Sequence, residues 1–102
     1  MALWHVMLIA FREDATPEVR QKVYDLYQVM GEDCGGKEAG ILFWKVDHNL
    51  DLRKGVQLVE IGIFEDAAAL ERFKNHQKHH EMAASLRDVA DWKTGDIMAE
   101  YP

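Results

Sequence analysis

The stretch LWHVMLIAFR, residues 3 to 12, limits the possible folds of this chain most, because its strand-like alternation is apolar on both faces. A sheet with one solvated face alternates apolar and polar residues, whereas a sheet that is apolar on both faces is covered on both. The main polar interruption is His5, which shares a face with Met7, Ile9 and Phe11. The stretch therefore predicts a strand that needs a cover on each side.

The periodicity then changes type in a definite order. ATPEVRQKVYDLYQVM predicts a helix capped by Thr16 and opened by Pro17. Its apolar face consists of Val19, Val23, Leu26, Tyr27 and Met30. GILFWKVD and GVQLVEIGIF predict two strands, EDAAALERFKNH a second helix, a further helical stretch continues to about Trp92, and TGDIMAEY forms a last strand. This order predicts a ferredoxin-like β-α-β-β-α-β α+β sandwich, a four-stranded antiparallel sheet with the helices on one face.

Size and composition restrict the partners. A chain of 102 residues predicts a single domain, residues 1–102, and its net charge of −6 argues against nucleic acid. No run approaches the roughly 20 apolar residues of a membrane span, and the apolar start lacks the features of a signal peptide. The lone Cys34, expected to be exposed in the Gly-rich loop GEDCGGKEAG, cannot form an internal disulfide. We expect a cytoplasmic protein.

The apolar second face of the sheet predicts a homodimer. A domain of this size has enough helix to cover only one side, so a second copy related by a two-fold axis is the simplest cover for the other. The alternative is an unusually large exposed apolar patch.

Three of the five histidines lie in NHQKHHEM, residues 75 to 82. If Asn75 caps the last helical segment, the apolar stripe of that segment continues back to His79, which would then point inward. His76 would lie at the edge of a pocket and His80 in solvent. The stripe consists of Met82, Ala83, Leu86 and Val89.

The sequence leaves three interpretations of these histidines open. His76 and His80 have the i, i+4 spacing of a helical metal chelate, although no flanking carboxylate-His pattern identifies a metal class. His79 is either a core histidine with a satisfied hydrogen bond or a functional group facing an apolar cavity, where its pKa can be tuned across neutral pH. In the last case His5 and Glu60, each of which interrupts an apolar strand, could converge with it under the helices.

Three segments together resemble the stress-responsive α/β-barrel domain, or Dabb, family. They are HVMLIAFRED, GILFWKVDHNLDLRKGVQLVEIGIFED and ALERFKNHQKHHEM, and the resemblance covers nearly the whole chain. It implies a dimeric α+β barrel in which two four-stranded sheets face each other. The best-understood member, olivetolic acid cyclase, is a plant polyketide cyclase that performs an aldol condensation without a cofactor, in a pocket between sheet and helices.

The resemblance assigns roles residue by residue. The opening histidine of the cyclase falls on His5 and the essential histidine of its His-x-x-His motif on His79. Its aromatic positions on the first helix fall on Val23, Tyr24 and Tyr27. Two positions depart from the pattern: the catalytic tyrosine is replaced by Phe73, and a histidine of the third strand by Leu58. The chain therefore lacks the phenol of that particular reaction.

These observations support three functions. The first is a binding protein or cofactor-free enzyme for a small apolar ligand with a carbonyl group, in which His79 is the general base and His5, with Glu60, orients it or stabilises charge. Its expected ligand-binding residues are Tyr27, Phe73, Met7, Leu58, Glu60, His76 and Tyr24, without metal or cofactor. The second is a cofactor-independent monooxygenase like those of the antibiotic-biosynthesis monooxygenase family. The third is a non-catalytic assembly protein with structural histidines.

Overall fold

A computed structural model describes all 102 residues and contains a four-stranded antiparallel sheet with the helices on one face. The predicted ferredoxin-like α+β architecture is confirmed. The strand order is β2-β3-β1-β4. The elements are β1 (Ala2–Phe11), α1 (Pro17–Gln28), α2 (Met30–Asp33), a 3₁₀ turn (Gly36–Ala39), β2 (Ile41–His48), β3 (Leu58–Phe64), α3 (Ala67–Asn75), α4 (Gln77–Arg87) and β4 (Ala90–Ala99).

Side-chain caps define where helices α1 and α3 begin. The Thr16 hydroxyl accepts a hydrogen bond from the backbone N–H of Val19 at 3.2 Å, and Pro17 occupies the first turn, as predicted. The carboxylate of Asp66 accepts in the same way from the N–H of Ala69 at 2.8 Å, at the start of α3. Each cap satisfies a backbone donor that the helix itself leaves unpaired.

The prediction of a helix continuing to about Trp92 is wrong. Helix α4 ends at Arg87 and β4 begins at Ala90, so Trp92 lies in the sheet opposite Ile9. A short apolar run is compatible with either period. Here β1 decides the outcome, because it offers backbone partners along its whole length, from Ala2 to Phe11.

The expected exposure of Cys34 is also wrong. Helix α2 and the 3₁₀ turn fold the glycine-rich segment against the core, which leaves Cys34 only 3% exposed, with its Sγ 3.6 Å from the Sδ of Met30. Burial, with a smaller contribution from the charge of Asp33, raises the pKa of the Cys34 thiol to about 11. Within the predicted apolar face of α1, Leu26 is 40% exposed, because it lines an open cleft between α1 and α4.

The sheet has a helix side and an outer face, both largely apolar. On the helix side, side chains of all four strands and of the helices form one buried cluster of 17 residues. The outer face carries alternate residues of each strand and has no helix over it. Leu8, Phe43 and Ile97 on this face are 38%, 40% and 63% exposed. None of the helices has both the length and the apolar character needed to cross a membrane.

Candidate functional site

His5 lies between two carboxyl groups on the helix side of the sheet. Its Nδ1 is 2.5 Å from Oδ1 of Asp96, and its Nε2 is 3.8 Å from Oε1 of Glu60. The strand register explains this arrangement. Asp96 on β4 is directly opposite His5, and Glu60 lies one pleat along on β3, on the same face. The structure therefore brings together His5 and Glu60, the two polar residues that interrupt apolar strands.

Asp96 is a site residue that sequence reasoning missed. It lies in TGDIMAEY, where a lone aspartate on an edge strand resembles an ordinary solvated residue. The side chain is 41% exposed, yet one of its oxygens holds the buried imidazole. The available signal was the antiparallel pairing of the first and last strands, which is expected for this fold and places position 96 opposite position 5.

Glu60 is a buried carboxyl group without a hydrogen-bond partner for Oε1. The residue is only 2% exposed, and 3.8 Å to His5 is too long for a hydrogen bond. Burial raises the pKa of Glu60 to about 8, because a carboxylate loses its solvation there. The group is therefore mostly a neutral acid at pH 7, able both to donate and to accept a hydrogen bond.

Helix α1 closes the space above Glu60. Its end near Glu60 is tied to β2 by hydrogen bonds: the Nε1–H of Trp44 donates to the carbonyl of Tyr27 at 2.7 Å, and Gln28 donates to the carbonyl of Val46 at 2.6 Å. These bonds hold Tyr27 in the core, at 4% exposure. Burial, together with the nearby charge of Glu60, raises the pKa of Tyr27, so its phenol stays neutral across the physiological range.

His79, on α4, borders the same core from the helix layer. Its ring is half-buried and packs edge-on against Phe73, with the centroids 4.8 Å apart. Burial, followed by the charges of His80 and His5, lowers the pKa of His79, so the imidazole is neutral at pH 7. His79 forms no hydrogen bond or ion pair with His5 or Glu60. Of the three residues expected to converge, His5 and Glu60 thus lie close together. His79 interacts with His5 only electrostatically, without a hydrogen bond or ion pair.

The other two clustered histidines have different surroundings. His76, rather than the predicted Asn75, is the N-cap of α4, and its Nδ1 accepts a hydrogen bond from the N–H of Lys78 at 3.1 Å. Asn75 is the last residue of α3, because the backbone turns to an extended conformation at His76. His80 is exposed, as predicted. No group of three or more His, Cys, Asp or Glu side chains is arranged to hold a metal ion.

A cavity of about 170 Å³ opens between α1 and the adjoining ends of β1, β2 and β3. Tyr24 and Leu58, two expected ligand-binding residues, line it, and the rings of Tyr24 and His48 stack there with centroids 4.4 Å apart. Three other expected ligand-binding residues, Met7, Tyr27 and Phe73, are buried in the core. The remaining lining residues are Phe11, Pro17, Arg20, Gln21 and Gln57.

Comparison with known proteins identifies the family. The family model of the Stress Responsive A/B Barrel Domain matches residues 3–99 of this chain. No curated protein is significantly similar to it in sequence.

Solved structures with the same fold are distant in sequence. A dimeric ferredoxin-like protein of unknown function from Thermobifida fusca has a TM-score of 0.82 at 14% identity, covering 97% of this chain and 92% of that chain. SnoaB, a cofactor-independent oxygenase from Streptomyces nogalater, has a TM-score of 0.74 at 16% identity, covering 99% and 95%. Hydroxynitrile lyase from Passiflora edulis has a TM-score of 0.75 at 13% identity, covering 99% and 97%. At such identities the similarity establishes the fold alone.

Proposed function

This chain belongs to the stress responsive A/B barrel domain family, and on that premise we propose that it is a homodimer that binds a small apolar ligand with a carbonyl group between its sheet and helices. In this proposal His79 and His5 provide acid–base chemistry resembling that of a cyclase, without a cofactor. The observation that carries it is the pair of buried polar side chains, His5 and Glu60, within an apolar core. A cytoplasmic location belongs to the same proposal.

The energetics of burial support a ligand site at this place. An unpaired polar atom in a protein interior costs about 1–3 kcal/mol, so such groups are rare without a reason. Oε1 of Glu60 is one of these atoms. The cavity is lined by Leu58, two residues from Glu60 on the same face of β3, so an apolar ligand seated in the cavity would lie near Glu60. A carbonyl oxygen would accept a hydrogen bond from the neutral acid.

The outer face of the sheet supports the homodimer. Side chains such as Leu8, Phe43 and Ile97 remain partly in water in a single chain, and a second sheet packed on them would remove that contact. The Thermobifida fusca protein of the same fold is dimeric, so a second copy of this chain is the first partner to consider. Nucleic acid and membrane are not partners in this proposal.

The ligand proposal is tested by NMR titration of the histidines in the presence of a panel of aryl and alkyl ketones. We expect His79 to titrate below the ordinary histidine range, because burial lowers its pKa, and its signals to shift as a ketone binds. The variant His79→Ala should lose turnover of any ketone that the protein converts. His80→Ala, one residue away and exposed, is the matched control. It should retain turnover, and the loss of the His80 charge should only weaken the lowering of the pKa of His79.

Two results would count against this function. If no ketone perturbs His5 or His79, the ligand class is wrong. If His79→Ala retains full turnover, the histidine is not the base. Oxygen consumption with quinol substrates would instead indicate a cofactor-independent oxygenase.

A non-catalytic assembly protein is the second candidate, and one observation favours it. Met7, Tyr27 and Phe73 fill the space between sheet and helices and are at most 6% exposed, so the isolated chain resembles a packed core there more than an open pocket. On this alternative, His79→Ala changes the free energy of unfolding and no ligand affinity. Measuring both quantities on the same variant distinguishes the two candidates.

A further inference from the structure

Glu60 and His5 are the buried polar residues of the molecule. Of the two, only Glu60 has a buried atom without a hydrogen-bond partner. His5 is bound by Asp96, and its other nitrogen faces Glu60. Oε1 of Glu60, in contrast, has no hydrogen bond at all. An aliphatic side chain at this position would fill the core without the free-energy cost of a buried, unpaired polar group. The presence of a carboxyl group therefore requires an explanation.

The position of Glu60 along the sheet places it on the route from the cavity to His5. Leu58, which lines the cavity, pairs with Ile9. Glu60 is the next residue of β3 on the same face, and Gly62, opposite His5, follows it. A ligand that extends inward from the cavity along the sheet therefore meets Glu60 before it meets His5.

The imidazole of His5 is oriented so that it can share a proton with Glu60. Because Asp96 is a carboxylate acceptor at Nδ1, the tautomer that fits these partners carries its proton on Nδ1. The lone pair on Nε2 then faces Glu60. A neutral carboxylic acid has one proton to donate. After a small shift, Glu60 can donate it either to this lone pair or, when a ligand is bound, to the carbonyl oxygen of the ligand.

We propose that Glu60 is the general acid of this site, giving its proton to the carbonyl oxygen of the ligand while His79 takes a proton from the adjacent carbon. The inference rests on the function proposed above and names its missing acid. In the step, the C–H bond breaks and its electron pair forms the C=C bond of the enol. The electron pair of the carbonyl π bond moves to oxygen, which binds the proton of Glu60. The reverse transfer restores both groups.

The surroundings of the two groups suit these roles. An acid–base pair is identified by environments that drive two pKa values apart. Burial raises the pKa of Glu60 to about 8 and lowers that of His79, so one holds its proton at neutral pH and the other does not. The titratable groups that face Glu60 are Tyr27 from α1 and His5 from β1, with Asp96 of β4 reaching it through His5.

The test is the exchange of the methyl protons of acetophenone for deuterium in D₂O, followed by NMR, because this exchange proceeds through the enol. Glu60→Gln keeps the shape and the hydrogen-bonding capacity of the neutral acid but cannot give up a proton. We expect it to bind acetophenone and to exchange about 100-fold more slowly, within the usual contribution of a general acid. Glu71→Gln, an exposed carboxylate on α3, is the matched control and should exchange at the wild-type rate.

A second measurement needs neither ligand nor variant activity. At neutral pH, the infrared spectrum of the wild-type protein should contain the C=O band of a protonated carboxylic acid, and that band should be missing from Glu60→Gln. If the variant fails to fold, the disappearance of the band from the wild type as the pH rises through about 8 provides the same answer.

The outcomes separate this inference from the proposal beneath it. Two results overturn the role of Glu60 and leave ligand binding intact. One is a folded Glu60→Gln variant that exchanges the protons at the wild-type rate, and the other is a wild-type infrared spectrum without the acid band. Binding of acetophenone without exchange in the wild type also overturns this role. If neither acetophenone nor any other ketone binds, the proposed function fails, and the role of Glu60 fails with it.

Discussion

The two faces of the sheet have similar apolar residues but different covers: helices pack over the centre of one face, and no helix lies over the other. On the helix side, Phe64 is fully buried among other aromatic rings, with its centroid 5.2 Å from that of Phe73. On the outer face, Phe43 is 40% exposed, and the centroid of its ring lies 6.4 Å from that of Tyr101. The comparison shows that an apolar pattern states only that a surface must be covered. What covers it, a helix of the same chain or a second molecule, depends on how much chain is available.

The faces also differ in their polar residues. The helix side buries His5 and Glu60 in the centre of two apolar strands, whereas the central outer face is made of residues such as Val6, Ile61 and Ile63. A polar group in a covered core costs free energy unless it is paired or used. The helix side therefore contains the candidate chemistry, and the outer face is suited to association.

The largest difference is expected between Phe64→Ala and Phe43→Ala. Removing a fully buried ring from a packed core costs about 3–5 kcal/mol, which should appear as a large loss in the free energy of unfolding measured with urea. Phe43→Ala should cost about 1 kcal/mol or less in the isolated chain, because the ring is already partly hydrated. Equal costs would mean that the outer face is as well packed as the helix side.

The second prediction concerns the pH dependence of Glu60. Folding raises its pKa from 4.5 to about 8, so the folded chain retains a proton that the unfolded chain loses within this range. The stabilisation is complete below the unfolded value and is lost as the pH rises through the folded value. Since one pKa unit corresponds to about 1.4 kcal/mol, the free energy of unfolding should fall by on the order of a few kcal/mol.

Glu60→Gln is the control for this pH dependence, because the amide does not titrate. Urea unfolding at a series of pH values should give a much flatter curve for the variant, with the variant the more stable protein at the alkaline end. Parallel curves for both proteins would show that Glu60 is ionised in the folded state, and the helix side would then contain a charge as well as apolar groups.

The third prediction tests the outer face by Leu8→Glu. The new carboxylate can pair with Lys93 across the strands in a single chain, but a second sheet would bury its charge. We expect self-association to weaken by about 100-fold or more, on the order of the 3–5 kcal/mol that an uncompensated buried charge costs. Analytical ultracentrifugation over a range of concentrations measures this.

Ala84→Glu serves as the control, since it introduces the same charge at an exposed position of α4. It should leave self-association unchanged. A wild-type chain that is monomeric at all concentrations would remove the reason for the outer apolar face, and the exposed-patch alternative would apply.

The smallest effect compares two glycines. A Cβ atom on Gly31 would lie 2.7 Å from the side chain of Trp44, whereas one on Gly95 meets nothing within 4 Å. Gly31→Ala should therefore cost about 1–3 kcal/mol through overpacking on the helix side. Gly95→Ala, on the outer face of β4, should leave the free energy of unfolding unchanged or slightly higher. A cost for Gly95→Ala that increases with protein concentration would place this edge strand inside the interface.

Several errors in the sequence analysis have one cause. The segment around Cys34 has the composition of a solvated loop, and Cys34 is buried only because α2 packs against the core. Trp92 follows a helical stripe, and only the backbone of β1 draws it into the sheet. Asp96 was not singled out as a site residue, and only the pairing of the first and last strands places it on His5. Each depends on a contact between residues far apart in the chain.

The sequence by itself determined the order of the elements, the cap at Thr16, the two apolar faces and the polar interruptions at His5 and Glu60, because periodicity and capping act over a few neighbouring residues. The tertiary structure alone decided which partners those side chains meet. It joined Asp96 to His5, left Glu60 without a hydrogen bond and set His79 against Phe73 rather than against the pair. Distances and burial across a sheet depend on register and packing, which no local pattern contains.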